Sequence, residues 1–158
     1  MAKLLSEDNQ VKTSIEIILL KDQMQNKPSI SWIPYELILC SADKEVVYKK
    51  ENGSKGAGDY VLALEPINEV KNLITGIKKF LDSKTSNMFS FEAIEPSFEL
   101  LLERSFKGYS VTCWIDAGNV ISNHSTWDGL GIRFFTSEEN LLSFLGELNK
   151  EVKKLASA

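Results

Sequence analysis

Phe98 to Val152 reads FELLLERSFKGYSVTCWIDAGNVISNHSTWDGLGIRFFTSEENLLSFLGELNKEV. Phe98, Leu100 and Leu102 alternate with polar residues, which marks Phe98 to Arg104 as a half-buried strand. Tyr109, Val111, Cys113 and Ile115 repeat the pattern, and the short turn Lys107-Gly108 between the two runs predicts an antiparallel hairpin. Leu130 to Phe135 is a third strand. A helix follows, with Thr136 as N-cap and Glu139 three residues on as a capping box. Glu138 and Glu139 suit the positive end of its dipole, and Lys150, Lys153 and Lys154 the negative end. Leu141, Phe144, Leu145, Leu148 and Val152 form its apolar stripe.

Upstream, Met88 to Ile94 is a strand with Phe89 and Phe91 alternating. Before it a helix is predicted from Pro66, which suits a first-turn position, to about Leu81, with Val70, Leu73, Ile74, Ile77 and Leu81 on one face. Gly76 inside that helix costs about 1 kcal/mol relative to Ala and marks a close packing contact. Thr13 to Leu20, Tyr35 to Ala42, Lys44 to Lys50 and Tyr60 to Glu65 read as strands. Lys21 to Pro34 reads as a loop in which Ile30 to Ile33 pairs briefly, and Glu51 to Gly58 as a flexible connection. The expected class is α+β: a mainly antiparallel sheet of about six to eight strands with two covering helices. Residues 1–12 are expected to be loose, and residues 13–155 to form one domain. A shift of 71 positions brings Val61 onto Ile132, Val70 onto Leu141 and Ile77 onto Leu148, so residues 13–83 and 86–155 are candidate pseudo-repeats.

A chain of 158 residues with 43% hydrophobic and 25% charged residues has the balance of an ordinary globular domain. A net charge of -4 argues against a dedicated nucleic-acid binder. No apolar run approaches the roughly 18 residues of a membrane span, and MAKLLSEDNQ has no secretory apolar core. The chain therefore reads as cytoplasmic, with Cys40 and Cys113 as buried free thiols.

No nucleophile elbow, zinc motif, phosphate loop or dinucleotide fingerprint occurs. An enzyme would have to use His124, the only imidazole, with Asp116 or Asp128, with or without a metal held by Asp116, Asn119, His124 and Asp128. That spacing matches no established ligand motif, and Asp116 to Asn119 reads better as the end of a strand and a turn. Glu92, Glu95, Glu99 and Glu103, candidate carboxylate pairs for acid-base work, are spread over two adjacent strands, and Glu99 and Glu103 share the face opposite Phe98, Leu100 and Leu102, as a solvated sheet face requires. Trp114 points away from the Cys113 and Ile115 stripe, so it is either covered by a helix or available to a partner. Asp116 to Gly129 is a polar loop holding His124 and Trp127, and aromatics on loops held by a sheet are typical interface anchors. The residue reading thus favours a binding protein with no catalytic residues and no cofactor. Its candidate interface is Trp114, Asp116, Asn119, His124, Trp127 and Asp128. A self-associating homodimer remains open as a further reading.

Phe91, Glu95-Pro96 before Phe98-Glu99-Leu100, Tyr109-x-Val111, Trp114-Ile115-Asp116-Ala117-Gly118-Asn119, Gly131-Ile132-x-Phe134 and Ser137-Glu138-Glu139-x-Leu141 resemble the WapI-type family of bacterial immunity proteins. The resemblance spans roughly the last 60 residues. It implies a small cytoplasmic protein that occludes a cognate bacterial toxin domain. A basic toxin would be steered by the net negative charge.

Overall fold

The computed structural model describes residues 1–8, 10–23, 25–26, 31–48, 61–65, 67–94, 98–116 and 129–156. They form ten strands, two α-helices and a single 3-10 turn at Lys21–Gln23. The α+β class, the antiparallel pairing and the two helices are as the sequence predicts. The strands divide between two sheets, and two of them lie in segments read as loose or looped.

The first sheet contains β1 (Ala2–Leu5), β2 (Thr13–Leu19), β3 (Gln25–Asn26), β4 (Ser31–Ser41), β5 (Lys44–Tyr48) and β6 (Val61–Glu65). The long β4 is its centre: β2 and β3 pair with it, and so do β5 and β6. β4 therefore begins earlier than the sequence suggests and runs through Pro34, with a register shift between Ser31 and Trp32. Ala42 turns the chain into β5 with a φ of 55°.

The expectation that residues 1–12 are loose is corrected by β1. Ala2 and Leu4 are fully buried, and β1 pairs with β2 from Ala2↔Ile17 to Leu5↔Ser14. Burial of Ala2 and Leu4 against a neighbouring helix holds a strand that is too short to show periodicity. On the other face, Lys3 forms an ion pair with the buried Glu16. That hydrogen bond raises the Lys3 pKa above the ordinary lysine value.

The second sheet is a meander of β7 (Met88–Glu92), β8 (Phe98–Ser105), β9 (Gly108–Asp116) and β10 (Gly129–Thr136). The β8–β9 hairpin turns at Phe106-Lys107, one residue before the expected pair, and Gly108 opens β9 at φ 108°.

Helix α1 (Glu69–Asp82) is capped by Asn68, whose side chain accepts from Lys71 N at 2.9 Å. It starts three residues after Pro66, which itself lies outside the described residues. Val70, Leu73, Ile74, Ile77 and Phe80 are buried, with Leu81 at the margin. Glu69 is 2% exposed, and its carboxylate accepts from Ala63 N at 2.5 Å and Ile94 N at 2.6 Å. One side chain thus joins β6, α1 and the end of β7.

Helix α2 (Glu138–Ala156) is capped by Ser137, whose hydroxyl accepts from Asn140 N at 3.2 Å. The expected cap, Thr136, is still in β10 opposite Tyr109, and its hydroxyl donates to Leu5 O at 2.7 Å. Together with Glu7 N to Phe135 O at 2.9 Å, this bond joins the edges of the two sheets.

The helix ending each half lies on the strand that opens the other sheet: α2 packs on β1, and α1 on β7. At the offset of 71 positions, strand runs into helix in both halves. The pairing differs, since β6 joins β4 whereas β10 joins β9. One core cluster unites both sheets and both helices, and Tyr35 of β4 meets Phe98 of β8 edge-on at 5.5 Å. Cys113 is buried there, and desolvation pushes its thiol pKa far up. Cys40 is only half-buried, so the expectation of two buried thiols holds for Cys113 alone.

Two positions carry stability predictions. A Cβ at Gly76 would sit 2.8 Å from Cζ of Phe89. Gly76→Ala should lower stability by about 1–3 kcal/mol in urea unfolding despite the better helix propensity. In a Phe89→Leu background the same change should approach neutrality. Arg104, on β8, donates Nη2 to the carbonyls of Phe80, Leu81 and Ser83 at 2.7–3.1 Å, Nε to Ser86 O at 3.1 Å and Nη1 to Tyr109 Oη at 3.2 Å. Arg104→Lys keeps the charge and loses the planar fork, and should cost about 2–3 kcal/mol in the same measurement.

Candidate functional site

Inner faces of both sheets are committed to the core, so a surface site has to come from the outer faces or the loops. Register fixes the outer face of the second sheet row by row. Glu92, Glu99, Trp114 and Gly131 form one row, Ser90, Leu101, Thr112 and Arg133 the next, and Met88, Glu103, Ser110 and Phe135 the third. Among the described residues no helix or strand covers these rows. Trp114 is 43% exposed, Phe135 44% and Met88 57%, while Leu101 is half-buried. Isolated exposed apolar residues are ordinary, but this face carries three of them, around a middle row in which Thr112 is 2% exposed beneath its neighbours.

The Trp114 ring is held flat by its neighbours. A Cβ built on Gly131 would approach Trp114 Cε3 to 2.6 Å, and one on Gly129 would approach the same atom to 3.4 Å. The indole therefore lies across the bare backbone of β10, covering with one face what a side chain would otherwise cover. Of the two alternatives left by the sequence, exposure is the one observed, since among the described residues no helix covers Trp114.

Carboxylates dominate the charge on this face. Glu92 and Glu99 stand directly opposite each other and are both exposed, with Glu103 two rows further along β8. Arg133, the one cation of these rows, donates Nε to Thr112 Oγ1 at 2.9 Å and, among the described residues, forms no ion pair with them.

Of the residues expected from sequence, Trp114 is on this face, and Asp116 closes β9 opposite Gly129. Asn119, His124, Trp127 and Asp128 lie outside the described residues, as do the enzyme and metal readings that depend on them. Among the described residues no group of three His, Cys, Asp or Glu side chains could hold a metal ion, and no helix is long and apolar enough to cross a membrane. Sequence reasoning missed Met88, Phe135 and Glu92 as members of the patch. The signal was available: once the hairpin register is set, Phe135 and Trp114 fall on one face by alternation.

A concavity of about 370 Å³ lies between the β8–β9 turn and the start of α2, lined by Glu7, Arg104, Lys107, Tyr109 and Glu138 among others. Every Arg104 nitrogen there already donates, and Tyr109 Oη donates to Glu138 Oε2 at 3.2 Å, so the groups serve the fold. Phe106, at the tip of that turn, is 92% exposed.

Comparison with protein-family models, with curated proteins and with solved structures finds no match.

Gly131 provides a direct test of the Trp114 packing. Gly131→Ala places a methyl against both Cys113 O and the indole. It should lower stability by about 1–3 kcal/mol and shift the Trp114 indole NMR signal, whereas Gly146→Ala, with open space around it, should do neither.

Proposed function

We propose that this protein works by binding another protein and occluding it, as an immunity protein occludes a toxin domain, with no covalent chemistry of its own. The reading is of a cytoplasmic, bacterial immunity-type protein, and the resemblance over Phe91 to Leu148 supports it. The observation that carries it is the uncovered face bearing Trp114, Phe135 and Met88. Flat, rigid, aromatic-bearing surfaces of this kind suit protein recognition better than small-molecule binding, which needs concavity. The loop between Asp116 and Gly129 adjoins this face in sequence, and its His124 and Trp127 extend the proposed contact.

The partner on this reading is a toxin domain encoded beside the gene. Co-expression should rescue growth from that toxin, and the purified pair should bind. Trp114→Ala should weaken binding by roughly tenfold to a hundredfold, in line with an aromatic hot spot. His124→Ala with Trp127→Ala tests the loop separately, and unchanged affinity there would remove the loop from the interface. Absence of both rescue and binding by the wild type would refute the reading. A concentration-dependent homodimer in light scattering that buries this face would refute it as well.

A further inference from the structure

We propose that the row Glu92–Glu99–Trp114 is a receptor for an arginine side chain presented by a protein partner. The inference rests on the binding reading above and adds the chemistry of what is bound. Three observations converge on it. First, Glu92 and Glu99 are directly opposite each other on exposed, adjacent strands, an arrangement that repels. Among the described residues nothing neutralises them. Second, Trp114 is the next residue in the same row, directly opposite Glu99. One side of its ring is spent on Gly129 and Gly131, and the residue is still 43% exposed among the described residues. Third, side chains opposite each other in a ladder are spaced about 5 Å apart. The row therefore sets Trp114 beside Glu99, which a stacked guanidinium can reach, with Glu92 one strand further on adding its charge.

Arginine fits this set better than lysine. Its planar cation stacks on an aromatic face while its N–H fork donates to carboxylates, and it loses less hydration on being covered. A second copy of this chain fits poorly. Face to face, each copy would bring Glu92, Glu99 and Glu103 against the same three carboxylates, with one Arg133 apiece and that guanidinium already donating to Thr112. The charge of the face thus selects a basic partner over self-association.

The test uses hexa-arginine and hexa-lysine peptides with the full-length protein at low ionic strength, followed by amide and indole NMR shifts. Hexa-arginine should perturb Trp114 and the Glu92 and Glu99 amides and bind at least about fivefold more tightly than hexa-lysine. Glu92→Gln and Glu99→Gln lie on the exposed face and should leave folding intact. Each should weaken hexa-arginine binding about threefold and reduce the preference over lysine. Trp114→Phe, which keeps an aromatic ring over the glycines, should weaken it less than Trp114→Leu. Equal affinity for the two peptides would overturn the proposal, because net charge alone would then explain binding. So would perturbations away from this row, or indifference to both glutamine variants. Loss of toxin binding with an intact peptide response would sink the immunity reading and leave the receptor standing. The reverse result would remove the receptor alone.

Discussion

Arg104 is the residue on which the arrangement of layers depends. It follows Phe98, Leu100 and Leu102 on the inward face of β8, where a charge is costly unless fully hydrogen-bonded. It meets that requirement by closing the C-terminal end of α1, whose last carbonyls have no partners within the helix. The positive charge also complements the helix dipole there. Its ring contacts, 5.1 Å to Phe80 and 5.4 Å to Tyr109, bury its flat faces, and Tyr109 hands the chain of bonds to Glu138 at the start of α2. One side chain thus fixes the end of one helix and, through Tyr109, the start of the other on the inner side of the second sheet. Both of the described helices are therefore held on the inner side.

That placement leaves the outer face without a covering helix among the described residues, while its composition is a matter of sequence. A solvated antiparallel face is ordinarily polar. Here it carries an indole, a phenyl ring and a thioether side chain among carboxylates. Covering the glycines of β10 accounts for one side of Trp114. It does not account for Phe135 or Met88, nor for two glutamates set directly opposite each other. Departures from local preference with no local compensation are where function tends to reside.

Periodicity made most of this legible. Strands of alternating pattern and helices with long apolar stripes were readable because each buries one face, and burial leaves a period in the sequence. Gly76 was readable as a close contact because nothing else favours glycine in mid-helix, and Phe89 is that contact. What escaped were features set by tertiary partners. β1 is four residues long and is held by α2 and β2. β4 continues through Pro34, which no propensity would place in a central strand. Thr136 and Ser137 are equally good caps in isolation, and only the bond from Thr136 to Leu5 decides between them. The candidate site was half legible. Trp114 stood out because its neighbours in the strand are buried, but Met88, Glu92 and Phe135 join it only through cross-strand register, a relation between segments that no single segment contains.

Register also determines what such a surface offers energetically. Side chains on a hydrogen-bonded ladder have their backbone positions fixed before any partner arrives, so binding orders only rotamers. Trp114 is further restrained, since moving its ring off Gly131 would uncover backbone. A loop carrying the same residues would lose more conformational freedom on binding for the same contacts. The glycines of β10, which look like weak points in a strand, are what let an indole lie flat and present a fixed plane to an incoming cation. The repulsion between Glu92 and Glu99 works in the same direction: it raises the free energy of the unbound face, and a bound guanidinium relieves it.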